Sequence, residues 1–295
     1  MVDSGHIVPT GRLVTKGSPA NVVYRNLGTV TNGYPGRLAV RETTDYDVKV
    51  SDGVLPPLGW IGYEQQATQY QVADITTINV VDTEVPIISG GGFTIYMPSG
   101  LAAKTVATQG DVLLSWADGQ VVPGVILGGR TAVKVPFSKS TTEVSTITLP
   151  AGVTIRDVLV DVVTNEENGT IDVGTLSTAT GDADGFLDGE SLTTAGRVEH
   201  NNADGTASNN TLGAYLVEAD IKSADGTAVY ASLGTGYLVP TGGKVLTYTT
   251  SNTTATVAGY IYVVVESPGV RIVGKSGTTV NAASAAAGVF VETTL

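Results

Sequence analysis

ATVAGYIYVVVE, residues 255–266, is the most continuously apolar stretch of the chain and indicates its fold class. Valine, isoleucine and tyrosine fit the pleated surface of a sheet, and the stretch ends at Ser267-Pro268-Gly269, a sequence typical of a turn. A short run that is apolar at nearly every position is typical of a strand covered on both faces. We therefore expect residues 258–265 to form a central strand of a β-sheet.

The sequence around this run predicts further strands. Eight more are predicted in the second half, at residues 145–149, 154–163, 170–173, 212–221, 227–230, 237–239, 245–250 and 270–272. Their spacing and turn residues favour a β-sandwich of the jelly-roll type. Near the end of the chain, Gly288 and the following Val-Phe-Val favour one last strand over a helix.

The segment GTIDVGTLSTATGDADGFLDGESLTTAG, residues 169–196, contains the most distinctive loop. It places four acids, Asp182, Asp184, Asp188 and Glu190, within nine residues. Residues 182–188 have the D-x-D-G-x-x-D spacing of calcium loops, but Thr180 stands where such loops usually carry one more Asp. A solvated acidic turn is the favoured interpretation, so we predict neither a metal nor a cofactor. Such a loop could also meet a partner or a neighbouring subunit.

The first half predicts a separate β domain. Its expected strands are residues 36–40, 46–50, 58–63, 75–85, 92–97, 112–116 and 120–126, with a two-residue hairpin turn at Asp118-Gly119. We interpret Trp60 as a core residue and not as a ligand platform. The predicted organisation is an extended arm at 1–29, a small barrel domain at 30–137 and a sandwich domain at 138–295, with a polar linker at 138–142.

Composition excludes several classes of protein. Glycine is abundant at 37 residues and charged residues make up only 15%, which favours an all-β fold. The chain has no cysteine, two histidines and no phosphate-binding or nucleophile motif, so we expect no enzyme. Its net charge of −12 argues against a nucleic-acid partner. No apolar run long enough for a signal or a membrane span is present, which predicts a protein made in the cytoplasm.

Charge is distributed unevenly along the chain. Residues 1–135 have a net charge of −2 and residues 136–295 a net charge of −10, whereas the first 41 residues have a net charge of +4. One interpretation is chance scatter of surface charge. The sharper interpretation is a basic anchoring end that meets an acidic surface, with Arg12, Lys16 and Arg25 as contact candidates. In that case a predicted strand at 21–26 could add to an exposed sheet edge of a neighbouring protein.

Two segments resemble a known family. TDYDVKVSDGVLPPLGWIGYE, followed by GLAAKTVATQGDVLLSWADGQVVPG, resembles the β-tulip-like domain of tailed-phage capsid decoration proteins. The acidic segment together with GYIYVVVESPGV is similar to the β-sandwich module of phage virion proteins. The resemblance implies a virion protein on the capsid exterior that binds the major capsid protein, commonly as a homotrimer. It transfers no functional residues.

Two other functions remain open. A phage tail-fibre or receptor-binding protein would share the sandwich, but would usually carry a coiled-coil or repeat stalk, and the sequence shows none. A glycan-binding module would present exposed aromatic residues. Aromatic residues make up only 6% of the chain, and Tyr260 and Tyr262 lie in the strand that we expect to be central.

Overall fold

The computed structural model describes residues 13–28, 33–43, 46–62, 77–79, 83–165, 169–198, 212–216, 236–251, 256–282 and 285–294. Within these ranges the chain forms β-strands and two short 3₁₀ turns, Ala117–Gly119 and Ser177–Ala179. The predicted all-β class is therefore confirmed. In the same ranges no helix is long and apolar enough to cross a membrane.

The strands are numbered in chain order. The first eleven are β1 Val14–Gly17, β2 Asn21–Leu27, β3 Leu38–Arg41, β4 Asp47–Val50, β5 Pro57–Ile61, β6 Glu84–Ser89, β7 Phe93–Leu101, β8 Val106–Ala107, β9 Val112–Ser115, β10 Val121–Leu127 and β11 Arg130–Ser138. The others are β12 Val144–Leu149, β13 Thr154–Thr164, β14 Thr170–Thr175, β15 Leu187–Ser191, β16 Gly196–Val198, β17 Tyr237–Leu238, β18 Lys244–Thr250, β19 Ala258–Glu266, β20 Ile272–Ser276, β21 Val280–Asn281 and β22 Ala287–Thr293.

The chain divides into two compact units. Unit 1 comprises Met1–Pro123 and Pro268–Leu295, and unit 2 comprises Gly124–Ser267. The sequence placed the boundary at residue 137 and the C-terminal segment with the second domain. The structure places β11 in unit 2, where it pairs with β19 over seven positions. It assigns the C-terminal segment, Pro268–Leu295, to unit 1, because β20 pairs with β9 and β22 pairs with β7.

Unit 1 contains a small closed barrel with the strand order β2-β4-β3-β5-β6. Its interior is filled by the buried side chains of Leu27, Ala39, Val48, Val50, Ile61, Val85 and Ile87. The predicted strand at 21–26 is confirmed as β2. One edge of β2 pairs with β6 along residues 21–26, whereas the described pairing of its other edge with β4 covers only Asn26 and Leu27. The expected addition of this strand to a neighbouring protein stays a prediction. The described part of the predicted arm is thus a folded part of unit 1.

A second layer of unit 1 follows the order β1-β7-β22-β20-β9. Trp60 of β5 joins the core shared with this layer; its side chain is 0% exposed and its ring meets Phe93 edge-on at 5.7 Å between centroids. This burial confirms the interpretation of Trp60 as a core residue.

The predicted hairpin turn at Asp118-Gly119 is also present. Both residues have positive φ, 56° and 63°, as such a two-residue turn requires. Gly119 donates its backbone N–H to the Ser51 carbonyl at 2.9 Å. Arg37 donates from Nη1 to the Asp118 carbonyl at 3.1 Å, so the turn is held against the barrel.

Unit 2 is a β-sandwich. In its larger sheet β19 lies between β11 and β13, which confirms that residues 258–265 form a central strand. The smaller sheet has the order β12-β18-β14-β15. The two sheets meet where the Phe137 and Tyr248 rings lie 6.1 Å apart. The jelly-roll connectivity stays a prediction.

Two of the strands predicted for unit 2 fall mainly on residues that the structure leaves undescribed. The predicted strand at 227–230 lies wholly outside the described residues. Of the predicted strand at 212–221, only residues 212–216 are described, and they form a turn with one bridge from Leu212 to Leu187. In unit 1, the predicted strand at 75–85 is likewise described only in part, and residues 77–79 are not in a strand.

Candidate functional site

The acidic loop, residues 182–188, is held in place by backbone contacts with β14. Thr175 donates its N–H to the Asp182 carbonyl at 2.6 Å, and Phe186 donates to the Val173 carbonyl at 2.8 Å. A Cβ added to Gly174 of β14 would lie 2.6 Å from the carbonyl oxygen of Ala183, so the loop packs directly on the strand backbone. The fold thus holds these carboxylates on an ordered turn.

Four aspartates of this region influence one another. A hydrogen bond with the Asp184 carboxyl raises the pKa of Asp182, and burial and the charges of Asp184 and Asp188 raise it further. Burial raises the pKa of Asp172, although Gly189 donates its N–H to Oδ1 of Asp172 at 2.8 Å. The loop therefore concentrates negative charge that the folded state accommodates at a cost.

Aromatic residues from distant parts of unit 2 pack beneath this loop. The rings of Tyr215 and Tyr237 stack at 4.2 Å between centroids, and Phe186 meets both edge-on. A hydrogen-bond chain connects them to the loop, since Asp182 donates its N–H to Oγ1 of Thr175 at 3.1 Å and that hydroxyl lies 3.2 Å from the Tyr215 hydroxyl. Sequence reasoning missed this cluster because its members are separated by more than twenty residues.

A lysine of β18 contacts the residues that precede the acidic loop. Lys244 donates from Nζ to the carbonyl oxygens of Ala179 at 2.9 Å and Thr180 at 3.4 Å. Thr180 has φ of 56°, and its backbone oxygen faces the ammonium group. Among the residues that the structure describes, no group of three or more histidines or acids lies close enough together to hold a metal ion.

A second candidate site lies on the barrel of unit 1. Three consecutive apolar residues of β2 are exposed: Val22 at 51%, Val23 at 45% and Tyr24 at 37%. The next residue, Arg25, places its guanidinium 5.8 Å from the centroid of the Tyr46 ring, which is itself 47% exposed. We name these five residues the β2 surface.

The structure describes only some of the contact candidates that the sequence suggested. Arg25 belongs to the β2 surface, and Lys16 is exposed on β1, an edge strand of the second layer. Arg12, like His6 and His200, lies outside the described residues. The exposed Val22-Val23-Tyr24 triplet was missed because an alternating strand normally turns every second residue inward.

Comparisons with known proteins identify no relative. No family model matches the chain, and no curated protein matches it. The functional interpretation therefore rests on the geometry of the two units and on the resemblance of their sequence segments.

The raised pKa of Asp182 gives the first testable prediction. Because the folded state binds this proton more tightly than the unfolded state, wild-type stability falls as pH rises through the folded pKa. Asp182→Asn removes the repulsion and retains hydrogen bonding to Asp184. We expect it to raise the free energy of unfolding of unit 2 at neutral pH, with a gain that shrinks toward about pH 4, measured by urea unfolding.

Glu143→Gln is the matched control with the opposite sign. Burial raises the pKa of Glu143, but hydrogen bonds from the Ser177 side chain and backbone outweigh it and the net shift is downward. Its stabilising contribution is present above the unfolded pKa and is lost as pH falls, so the variant should be less stable at neutral pH. An Asp182→Asn effect that is independent of pH would contradict the role of charge repulsion in the loop.

Proposed function

We propose that this chain is a non-enzymatic virion structural protein that binds the outer surface of a phage capsid and stabilises the shell as a decoration protein. Its partners would be the major capsid protein and further copies of itself, in a homotrimer. Binding that is specific to the assembled shell stabilises that shell by mass action.

The β2 surface is the observation that carries this proposal. Single exposed apolar residues are ordinary on a protein surface, but a contiguous apolar patch is typical of an interaction site. Here three successive apolar residues of β2 are exposed beside a tyrosine and a cation, on a strand that pairs with β6 along residues 21–26. A partner would therefore contact these exposed side chains.

The distribution of charge between the units supports the same orientation. Unit 2 has seven lysines and arginines against sixteen acids, a net charge of −9, and unit 1 has nine against twelve, a net charge of −3. An acidic shell would repel unit 2 more strongly than unit 1. We therefore assign shell contact to unit 1, with Lys16 and Arg25 as the basic contact residues, and an outward position to unit 2.

Co-sedimentation with shells of the major capsid protein tests this function. Val22→Asp places a charge within the β2 surface, so we expect binding to weaken tenfold or more, since about 1.4 kcal/mol corresponds to a factor of ten. The double change Lys16→Gln and Arg25→Gln should weaken binding mainly at low salt, because salt screens exposed charges.

Val163→Asp is the matched control, because Val163 is also an exposed valine but lies in unit 2. It should bind shells as the unaltered chain does. Loss of binding in Val163→Asp with full binding in Val22→Asp would overturn the assignment of shell contact to unit 1. Absence of binding by the unaltered protein would overturn the proposed function itself.

A further inference from the structure

The larger sheet of unit 2 has two faces of different character. Val133, Val135 and Phe137 of β11 are buried on the face that meets the smaller sheet. Because side chains alternate along a strand, Lys134 and Pro136 point to the opposite side. We call this side the outer face of the sheet.

The outer face includes the two tyrosines that the sequence assigned to a core-like position. In the strand register Lys134 lies opposite Tyr262 and Pro136 lies opposite Tyr260, so both tyrosines point to the outer face. Their ring centroids are 6.4 Å apart, and the Lys134 ammonium lies 4.4 Å from the centroid of the Tyr260 ring. Tyr262 is only 8% exposed, whereas Tyr260 is half-buried, so Tyr260 is the ring that a ligand could reach.

Small apolar side chains of the same sheet surround the tyrosines. Ala132, Val264 and Leu159 pack with both rings into one cluster, whose members all belong to the sheet itself. Ala132 and Val264 are 0% and 3% exposed, so the cluster holds the Tyr260 ring in place and leaves that ring as the surface on which a ring-shaped ligand can stack.

Charge on the outer face differs from charge on the rest of unit 2. Four of the seven basic residues of the unit lie there: Arg130, Lys134, Arg156 and Arg197. Among the residues that the structure describes, their acidic neighbours on the face are Asp157, Asp161 and Glu266. These described residues give the face a small positive balance, within a unit whose net charge is −9.

Two of these cations are well placed for a ligand. Arg197 lies opposite Asp161 in the strand register, is exposed, and continues the row that contains Tyr260. Arg130 is exposed at the start of β11, the strand that also carries Lys134. Guanidinium groups bind carboxylates with two parallel hydrogen bonds, which fixes the orientation of the ligand as well as its charge.

We propose that the outer face binds an acidic oligosaccharide whose sugars carry carboxylates. The sugar ring would stack on Tyr260, and its carboxylates would pair with Arg197, Lys134 and Arg130. A nucleic acid has a denser charge and would be repelled more strongly by the acidic remainder of unit 2. This inference concerns unit 2 alone and does not rest on the binding of capsids by unit 1.

Titration calorimetry of the full-length protein tests the proposal, with hexagalacturonate as the acidic probe and maltohexaose as its neutral counterpart. Hexagalacturonate should bind at low salt, more weakly as salt is added, and maltohexaose at least about tenfold more weakly. The double change Lys134→Gln and Arg197→Gln should reduce hexagalacturonate affinity about tenfold. Tyr260→Ala should do the same, whereas Tyr260→Phe keeps the ring and should retain binding.

Lys275→Gln is the charge-matched control for Arg197→Gln alone, since Lys275 is exposed in unit 1. It should leave affinity unchanged. Arg197→Gln alone changes an exposed residue, so it keeps the test decisive even if Tyr260→Ala fails to fold. Three results would overturn the proposal: no binding of hexagalacturonate, equal binding of both oligosaccharides, or sedimentation showing that the chain self-associates through Arg197.

Discussion

Replacing Trp60 with alanine is expected to lower the free energy of unfolding of unit 1 by about 3–5 kcal/mol, the range observed when a buried tryptophan or phenylalanine is truncated in a core. The side chain is 0% exposed and contacts two layers of the unit. It lies opposite Leu38 and Ile88 in the barrel register and meets the Phe93 ring of β7 edge-on. The cavity left by alanine would therefore separate the barrel from the second layer, and urea unfolding would measure the loss.

Trp60→Phe is the matched variant. Trp60 Nε1 is buried without a hydrogen-bond partner, so losing this N–H costs no hydrogen bond. The smaller ring still fills most of the site, and we expect a loss of about 1–2 kcal/mol. If Trp60 were a ligand platform and not a core residue, Trp60→Ala would leave unfolding almost unchanged.

Gly174→Ala is expected to have the largest effect in unit 2. The added Cβ would lie 2.6 Å from the carbonyl oxygen of Ala183 and closer still to that of Asp182. Both are backbone atoms, so the acidic loop must move away from β14 as a whole. Overpacking of this kind costs about 1–3 kcal/mol and occasionally more, and we expect the upper end of that range. Thermal unfolding should show the transition of unit 2 lowered by several degrees.

Displacement of the loop also has a local consequence. Phe186 belongs to the loop, and Tyr215 donates its backbone N–H to the Gly185 carbonyl of the loop at 2.7 Å, so the stacked tyrosines should lose their fixed environment. The near-ultraviolet circular dichroism of the variant should therefore decrease before global unfolding. Gly92→Ala is the control, because a Cβ at Gly92 meets no atom within 4 Å. An equal loss of stability in both variants would contradict the close contact between loop and strand.

Local sequence patterns predicted many strands of this fold but missed others, among them β1, β11 and β15. Period-2 alternation predicted β4 and β13, and an apolar run predicted β19, because side-chain alternation and β-propensity act over a few neighbouring residues. The turn at Asp118-Gly119 was predictable for the same reason, since both residue types tolerate positive φ. The sandwich character of unit 2 followed from the spacing of its predicted strands and their turn residues, whereas the barrel character of unit 1 was implied by the resemblance.

The candidate sites were predicted less completely. The acidic loop was recognisable in the sequence as a cluster of acidic residues. The stack of Tyr215 on Tyr237 beneath it joins residues that no local pattern connects. Arg25 was named from its charge, whereas the exposed apolar residues beside it follow from the position of β2 in the barrel.

The sequence by itself determined where many of the strands and the Asp118-Gly119 turn lie, that the fold is all-β, and that the acidic charge belongs mainly to the second half. Only the tertiary structure decided the partner of each strand, and with it the return of β20 and β22 to unit 1 and the closure of β2 into the barrel. It also decided which side of β19 meets the core, since a run that is apolar on both faces does not specify that choice. Strand pairing joins residues far apart in the chain, so its energy depends on contacts that no short window of sequence contains.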